Sequence, residues 1–152
     1  MCRVNKYELI CEKVAGYNTD IIDKTMNSPE NIAQFIIHTL QSDRFPTEHF
    51  MVFMLDTKLK VIGFSDISKG AVDTALVHPR EVYQPAMITA KCAGIIVAHN
   101  HPSGDPTPSQ EDIMVTDRLA DAGKLLGIPL IDHIVVGDGK YVSLANEGYI
   151  SK

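Results

Sequence analysis

This sequence predicts an α/β fold, a mixed β-sheet flanked by helices, and three features predict it. Two continuous apolar runs, Phe50-Met51-Val52-Phe53-Met54-Leu55 and Ala93-Gly94-Ile95-Ile96-Val97-Ala98, have the pattern of strands buried on both faces. After the second run, Val115, Leu119, Ala122 and Leu126 recur at helical spacing. Finally, Gly137-Asp138-Gly139 separates two strand-like runs, Leu130 to Val136 and Lys140 to Leu144, as a hairpin turn would. At 152 residues, 45% hydrophobic and 22% charged, the chain is expected to form one structural domain with a sizeable core.

The stretch before Glu48 is expected to supply a strand and a helix that pack on the core, with residues 48–152 forming the domain proper. Tyr7, Leu9 and Cys11 alternate with Glu8, Ile10 and Glu12, which suggests an edge strand. Ser28-Pro29-Glu30 starts a helix, with Ser28 as N-cap and Pro29 at the first helical position. Ile32, Phe35, Ile36 and Leu40 supply its apolar stripe, and it should end near Ser42. Phe50 to Leu55 is a central strand; Asp56-Thr57-Lys58 turns into a hairpin partner, Lys60 to Phe64; and Gly70 to Val77 adds a third strand. His78-Pro79-Arg80 begins a helical segment that Pro85 should kink or interrupt before Ala86. Gly127 is the C-cap of the later helix.

Composition narrows the function classes. A net charge of -5 argues against nonspecific nucleic-acid binding, which draws its affinity from phosphate neutralisation, although a local basic groove remains compatible with it. No run approaches ~20 apolar residues, so no membrane association is expected. Met1 to Lys6 lacks an apolar signal core, and a cytoplasmic location follows as the expectation. Cys2, Cys11 and Cys92 are odd in number and widely spaced, which reads as reduced packing residues and not as a disulfide frame.

The chemistry concentrates in His99-Asn100-His101-Pro102-Ser103-Gly104-Asp105-Pro106-Thr107-Pro108-Ser109-Gln110-Glu111-Asp112. If the strand stays extended through His101, period-two geometry points both imidazoles the same way, as two ligands of one metal require. The proline-rich loop reverses the chain, and Ser109 with Asp112 forms a capping signal for the next helix. Capping explains Ser109 well. Asp112, however, also continues the stripe Val115, Leu119, Ala122, Leu126, so its carboxylate leans inward, where it must be paired or ligated. Two histidines and one carboxylate hold a single zinc ion and leave its fourth position open, the arrangement of a catalytic site. With independently drawn residues, His-x-His-x7-Ser-x2-Asp arises on the order of 10⁻⁶ to 10⁻⁵ per starting position. The spacing is therefore specific.

That spacing resembles the JAMM metalloprotease motif of MPN domains, and His-Asn-His-Pro-Ser-Gly-Asp-Pro with the downstream Ser and Asp is similar to the RadC subgroup. The resemblance runs from about Glu48 to Gly148 through Glu48-His49-Phe50, Leu55-Asp56-Thr57-Lys58, Lys69-Gly70, Val77-His78-Pro79-Arg80-Glu81, the core motif, and Leu130-Ile131-Asp132-His133-Ile134. It implies the MPN, cytidine-deaminase-like architecture and gives a role to Glu48, which occupies the position of the family glutamate that meets the metal-bound water. By the same resemblance Glu48 is the general base and then the acid, Ser109 helps to stabilise the oxyanion, and the scissile bond is a peptide or isopeptide bond in a protein or peptide substrate. Longer chains of this type carry a helix-hairpin-helix-like region upstream, which the glycine-poor stretch before Glu48 is not expected to hold.

Other residues have simpler readings. Asp132 and His133 form either a shell around the site that orients a ligand histidine or a buried pair that stabilises the sheet. Arg80 either binds a substrate anion or forms a salt bridge at a helix start. Asp105 is expected to be a turn residue, and His38 and His49 surface or packing residues. Two alternatives to the hydrolase stand: a RadC-type protein that acts on or binds DNA, and an MPN binding module without catalysis. The deaminases of similar architecture need His-x-Glu and Pro-Cys-x-x-Cys, and neither occurs here. Oligomeric state has no sequence signal.

Overall fold

The computed structural model describes residues 5–6, 8, 10–17, 28–70 and 77–150. Five strands form one mixed sheet: β1 (Glu48–Leu55), β2 (Val61–Gly70), β3 (Gly94–Asn100), β4 (Leu130–Gly137) and β5 (Lys140–Ser143), in the order β2-β1-β3-β4-β5. Only the β3/β4 pair is parallel. Its crossover is helix α3 (Gln110–Leu126), as a parallel connection requires. Helix α1 (Pro29–Gln34) lies against one sheet face; α2 (Pro79–Ile88) and α3 cover the other. Strand alternation divides the core accordingly. Met51, Phe53, Leu55, Ile96 and Ala98 pack with Ile32, Phe35 and Ile36 of the first helical segment, while Phe50, Val52, Ile95 and Val97 pack with Tyr83, Val115 and Leu119. The α/β expectation holds, with the sheet flanked by helices on both faces.

Most element boundaries fall where local chemistry puts them. The Ser28 hydroxyl accepts the Glu30 amide, and the helix continues past α1 as a π-helical turn, Phe35–Leu40, before Gln41 takes a left-handed conformation. The wider turn lets three consecutive residues, Phe35, Ile36 and Ile37, be buried. Asp138 and Gly139, both at positive φ, form the β4/β5 turn, and Gly127 closes α3 at φ 71°.

Several expectations need correction. Tyr7 and Leu9 lie outside the described residues, but Glu8 and residues 10–17 form no strand, and Cys11 is exposed, not packed. Alternation makes an edge strand only where a ladder partner exists, and this stretch is held instead by Tyr17, whose ring lies 6.1 Å from that of Phe35 and 5.7 Å from that of Phe64. Strand β2 runs on to Gly70, well past Phe64, because it pairs with β1 back to Glu48. The strand expected from Gly70 to Val77 falls mostly on residues 71–76, outside the described residues; Cys2 lies outside them too. Pro85 does not interrupt α2, which keeps Val82, Tyr83 and Ala86 buried through it. The bond Pro85 forfeits is a single one, to Glu81, an exposed residue whose carbonyl water can serve. Leu126 leaves the apolar stripe and is 43% exposed, since it is the last residue of α3; Thr116 and Gly123 are buried in its stead. Among the described residues no helix is long and apolar enough to cross a membrane.

Gly123 marks the closest approach of α3 to its neighbours. A Cβ there would collide with Tyr83 Oη and come within 2.7 Å of the Ile128 carbonyl oxygen. Gly123→Ala should therefore cost about 2–3 kcal/mol of overpacking, read as a lowered urea midpoint at unchanged m-value. The Tyr83 hydroxyl donates to the Leu119 carbonyl at 2.9 Å, and burial pushes its phenol up to about 12. This folded value lies above the ~10 of an unfolded tyrosine, so the contribution is complete below pH 10 and lost as pH rises toward 12. In an alkaline titration, one of the five tyrosines should develop phenolate absorbance only together with loss of far-ultraviolet circular dichroism.

Candidate metal centre

Strand β3 carries buried residues at all seven positions, and His99 stands on its α3-facing side, fully buried. His101 follows just past the strand end, where its amide donates to the Val136 carbonyl at 2.8 Å and so continues the β3/β4 ladder. The loop after it is pressed against the end of β4. A Cβ on Gly137 would stand 2.7 Å from the Gly104 carbonyl oxygen, so only glycine lets the loop lie there. The loop then delivers Ser109 and Asp112 at the start of α3. From the other side, β1 brings Glu48, two residues before Phe50 and on the same face.

These elements converge. His99 Nε2 lies 2.9 Å from His101 Nε2 and 3.2 Å from Asp112 Oδ1; His101 Nε2 lies 3.4 Å from Asp112 Oδ2. Glu48 Oε1 stands 3.8 Å from His99 Nε2. One ligand atom from each of Glu48, His99, His101 and Asp112 lies within 4.8 Å of all the others, and the four could hold a metal ion.

Asp112 divides its labour between two oxygens. Oδ2 accepts the Ser109 amide and the Ser109 hydroxyl, each at 2.7 Å, and the Asp112 amide in turn donates to Ser109 Oγ at 3.1 Å, which completes the capping box. Oδ1, turned toward His99, is free for a cation. The capping reading of Asp112 holds, and the same residue is among those that could hold a metal ion. Burial opposes its ionisation, but contacts with the His101 and His99 imidazoles, when these carry protons, outweigh that and hold the carboxyl well below the ordinary carboxylate range.

Two backbone carbonyls settle which ring nitrogens carry protons. The Asp105 carbonyl lies 2.8 Å from His101 Nδ1, and a carbonyl can only accept, so His101 Nδ1 is protonated and Nε2 keeps its lone pair in the neutral ring. The second chain is longer. Thr116 Oγ1 donates to the Asp112 carbonyl at 2.6 Å, so it must accept from His133 Nδ1 at 2.7 Å; His133 Nε2 is then bare and accepts from His99 Nδ1 at 2.8 Å. His99 Nε2 is consequently bare as well. His133 is fully buried, and burial lowers its pKa well below the usual value, which fits its neutral role here. Two imidazole lone pairs aimed at one another across 2.9 Å repel unless a cation lies between them. In the metal-free protein a proton can serve, and the hydrogen bond to Asp112 accordingly raises the pKa of His101.

The donor set fits zinc: two neutral imidazoles and one carboxylate are ordinary ligands, and ligand atoms at zinc bonding distance lie about 3.3–3.6 Å apart in a tetrahedron, near the spacings here.

The sequence left two readings of Asp132 and His133, and the structure separates them. His133 faces the site and orients His99. Asp132, on the opposite face, accepts from the Ser143 hydroxyl at 2.6 Å and the Ala145 amide at 3.0 Å, tying β4 to the chain after β5. Asp105 acts as a turn residue, accepting from Thr107. Arg80 is exposed and forms no ion pair among the described residues. His38 is exposed, and His49 is half-buried against Phe45. Burial raises the Cys92 thiol pKa, as for an inert packing cysteine. Thr116 went unnoticed in the sequence; its signal is a hydroxyl four residues after Asp112 on the buried stripe. Thr116→Val should weaken zinc binding about 10-fold with little loss of fold, measured by chelator competition, because His133 Nδ1 loses its acceptor and His99 its fixed tautomer.

A family model described as a RadC-like JAB domain matches residues 26–149. A UPF0758 protein of Caldanaerobacter subterraneus subsp. tengcongensis is 46% identical over 125 residues, covering 82% of this chain and 52% of that protein. A UPF0758 protein of Desulfitobacterium hafniense is 47% identical over 131 residues, covering 86% and 56%; one of Methanosarcina mazei is 42% identical over 127 residues, covering 84% and 54%. The chain spans about half the length of the curated relatives it matches.

Proposed function

Since the chain belongs to the RadC-like JAB domain family, we propose that it is a zinc-dependent hydrolase that cleaves a peptide or isopeptide bond in a protein or peptide substrate. The observation that carries this reading is the pair of bare imidazole nitrogens, His99 Nε2 and His101 Nε2, converging at 2.9 Å beside Asp112 Oδ1. These three residues would hold the ion. What zinc supplies in such a site is Lewis acidity, which makes water easier to deprotonate at neutral pH and a carbonyl easier to attack.

The remaining chemistry belongs to the protein. Glu48 borders the cluster without being part of its tightest contacts, 3.8 Å from His99 Nε2, where it takes the proton of the attacking water. In the ion-free cluster burial raises its carboxyl pKa; the charge of a bound cation would oppose that rise. Its acid form then delivers the proton to the departing amine nitrogen. No residue forms a covalent bond to the substrate. Ser109 is the candidate donor to the carbonyl oxygen as it gains charge. Its proton is given to Asp112 Oδ2 in this structure, so the role requires the hydroxyl to turn away from the cap.

Zinc content by plasma mass spectrometry, combined with a panel of quenched-fluorescent peptides and lysine-linked isopeptides, tests the reading. One zinc per chain and chelator-sensitive cleavage are expected. Zinc without cleavage of either linkage would favour a binding module, and a folded protein that takes up no zinc would overturn the metal reading itself.

A further inference from the structure

Asn100 sits between the two histidines of the cluster, yet its side chain points to the opposite face of β3 and takes no part in the site. It is fully buried. A buried amide needs partners, and Asn100 finds both at the start of β1: Oδ1 accepts the His49 amide at 2.8 Å, and Nδ2 donates to the carbonyl of Thr47, just before the strand, at 3.0 Å. Those two groups flank Glu48 on either side.

The strand register explains the arrangement. Backbone pairing between β1 and β3 ends at Phe50↔His99, so Glu48 and His49 extend beyond the last β3 partner. On its other side Glu48 is opposite Gly70 of β2, the final residue of that strand. The β1 start would be held from one side only if the ladder simply stopped. Asn100 extends it through a side chain, bonding the groups before and after Glu48 and leaving the glutamate side chain on the α3 face, toward His99.

We propose that Asn100 is a positioning residue for Glu48, its amide fixing the backbone on both sides of the glutamate and so the place of the carboxylate at the edge of the cluster. The inference rests on the zinc reading above and adds a residue to it. Asn is suited to the task because one side chain must both accept and donate. Aspartate has no donor for the Thr47 carbonyl, and alanine reaches neither group.

The test uses the zinc-loaded protein labelled with ¹³C at glutamate carboxyls, the Glu48 resonance being assigned by its absence in Glu48→Gln. Zinc loading should displace that resonance in the wild type. In Asn100→Ala the displacement should shrink by about half or more while zinc affinity by chelator competition changes less than about threefold, because the ligands stay and the carboxylate moves. Should Asn100→Ala not fold, Asn100→Ser is judged by the same criteria. An undiminished displacement, or a zinc affinity that falls about tenfold or more alongside it, overturns the proposal, the latter because Asn100 would then support the cluster as a whole. A wild type that takes up no zinc removes the metal reading and this proposal together; a zinc-binding wild type whose Glu48 resonance ignores Asn100 removes the proposal alone.

Discussion

Asp112→Ala is expected to reduce bound zinc to background and to destabilise the fold in the same step. The first effect follows from Oδ1, which lies 3.2 Å from His99 Nε2 and is the acidic oxygen left free beside the two imidazoles. Without it the two imidazoles are left with Glu48, which stands 3.8 Å from His99 Nε2, outside the tightest contacts of the cluster. The second effect follows from Oδ2. It accepts the Ser109 amide, and removing such an N-terminal cap costs about 1 kcal/mol, seen in the urea midpoint of the metal-free protein. Ser109→Ala separates the two, since it removes the hydroxyl half of the cap and leaves all three ligands. It should lose stability and keep zinc. His99→Ala should do the converse with respect to the cap, losing zinc while α3 keeps its start. Near one zinc per chain in Asp112→Ala would show that the carboxylate is only a cap.

Glu48→Gln is the second large effect, and it should be nearly silent in binding. The exchange preserves shape and hydrogen-bonding reach but leaves nothing that can take a proton. Zinc content should match the wild type, while turnover on the cleaved linkage falls about 10²- to 10⁴-fold, the usual range for loss of a positioned general base. The acid limb of the wild-type pH profile that reports Glu48 should be absent from the residual activity of Glu48→Gln. Full zinc-dependent turnover in that variant would remove Glu48 from the mechanism.

The fold and the site were legible in the sequence to different depths. Strands β1 and β3 announced themselves because a strand buried on both faces must be apolar throughout. Both ends of α3 were readable because capping is local chemistry: Ser109, Asp112 and Gly127 do their work within a few residues of one another. His99, His101 and Asp112 could be brought together on paper because strand alternation, a proline-rich reversal and a capped helix each constrain direction. The alternation at Tyr7 to Cys11 failed as a guide, since a strand needs a partner edge and local pattern carries no information about one. Pro85 did not end α2 for a related reason: the face of α2 that packs on the sheet outweighs a single lost hydrogen bond.

What the sequence determined by itself was the set of chemical groups and their local direction: an α/β chain with two imidazoles and a carboxylate aimed at one place. What only the tertiary structure decided was everything that depends on residues far apart in the chain. Glu48 reaches the cluster through β1/β3 pairing, and Asn100 secures it from 53 residues away from Thr47. His133 and Thr116 fix the His99 tautomer across the β3/β4 pair and α3. Asp132, the neighbour of His133, is turned to the other face by the same strand alternation. Hydrogen-bond partners of a buried side chain are set by what the fold places within about 3 Å, and no local spacing rule encodes that distance.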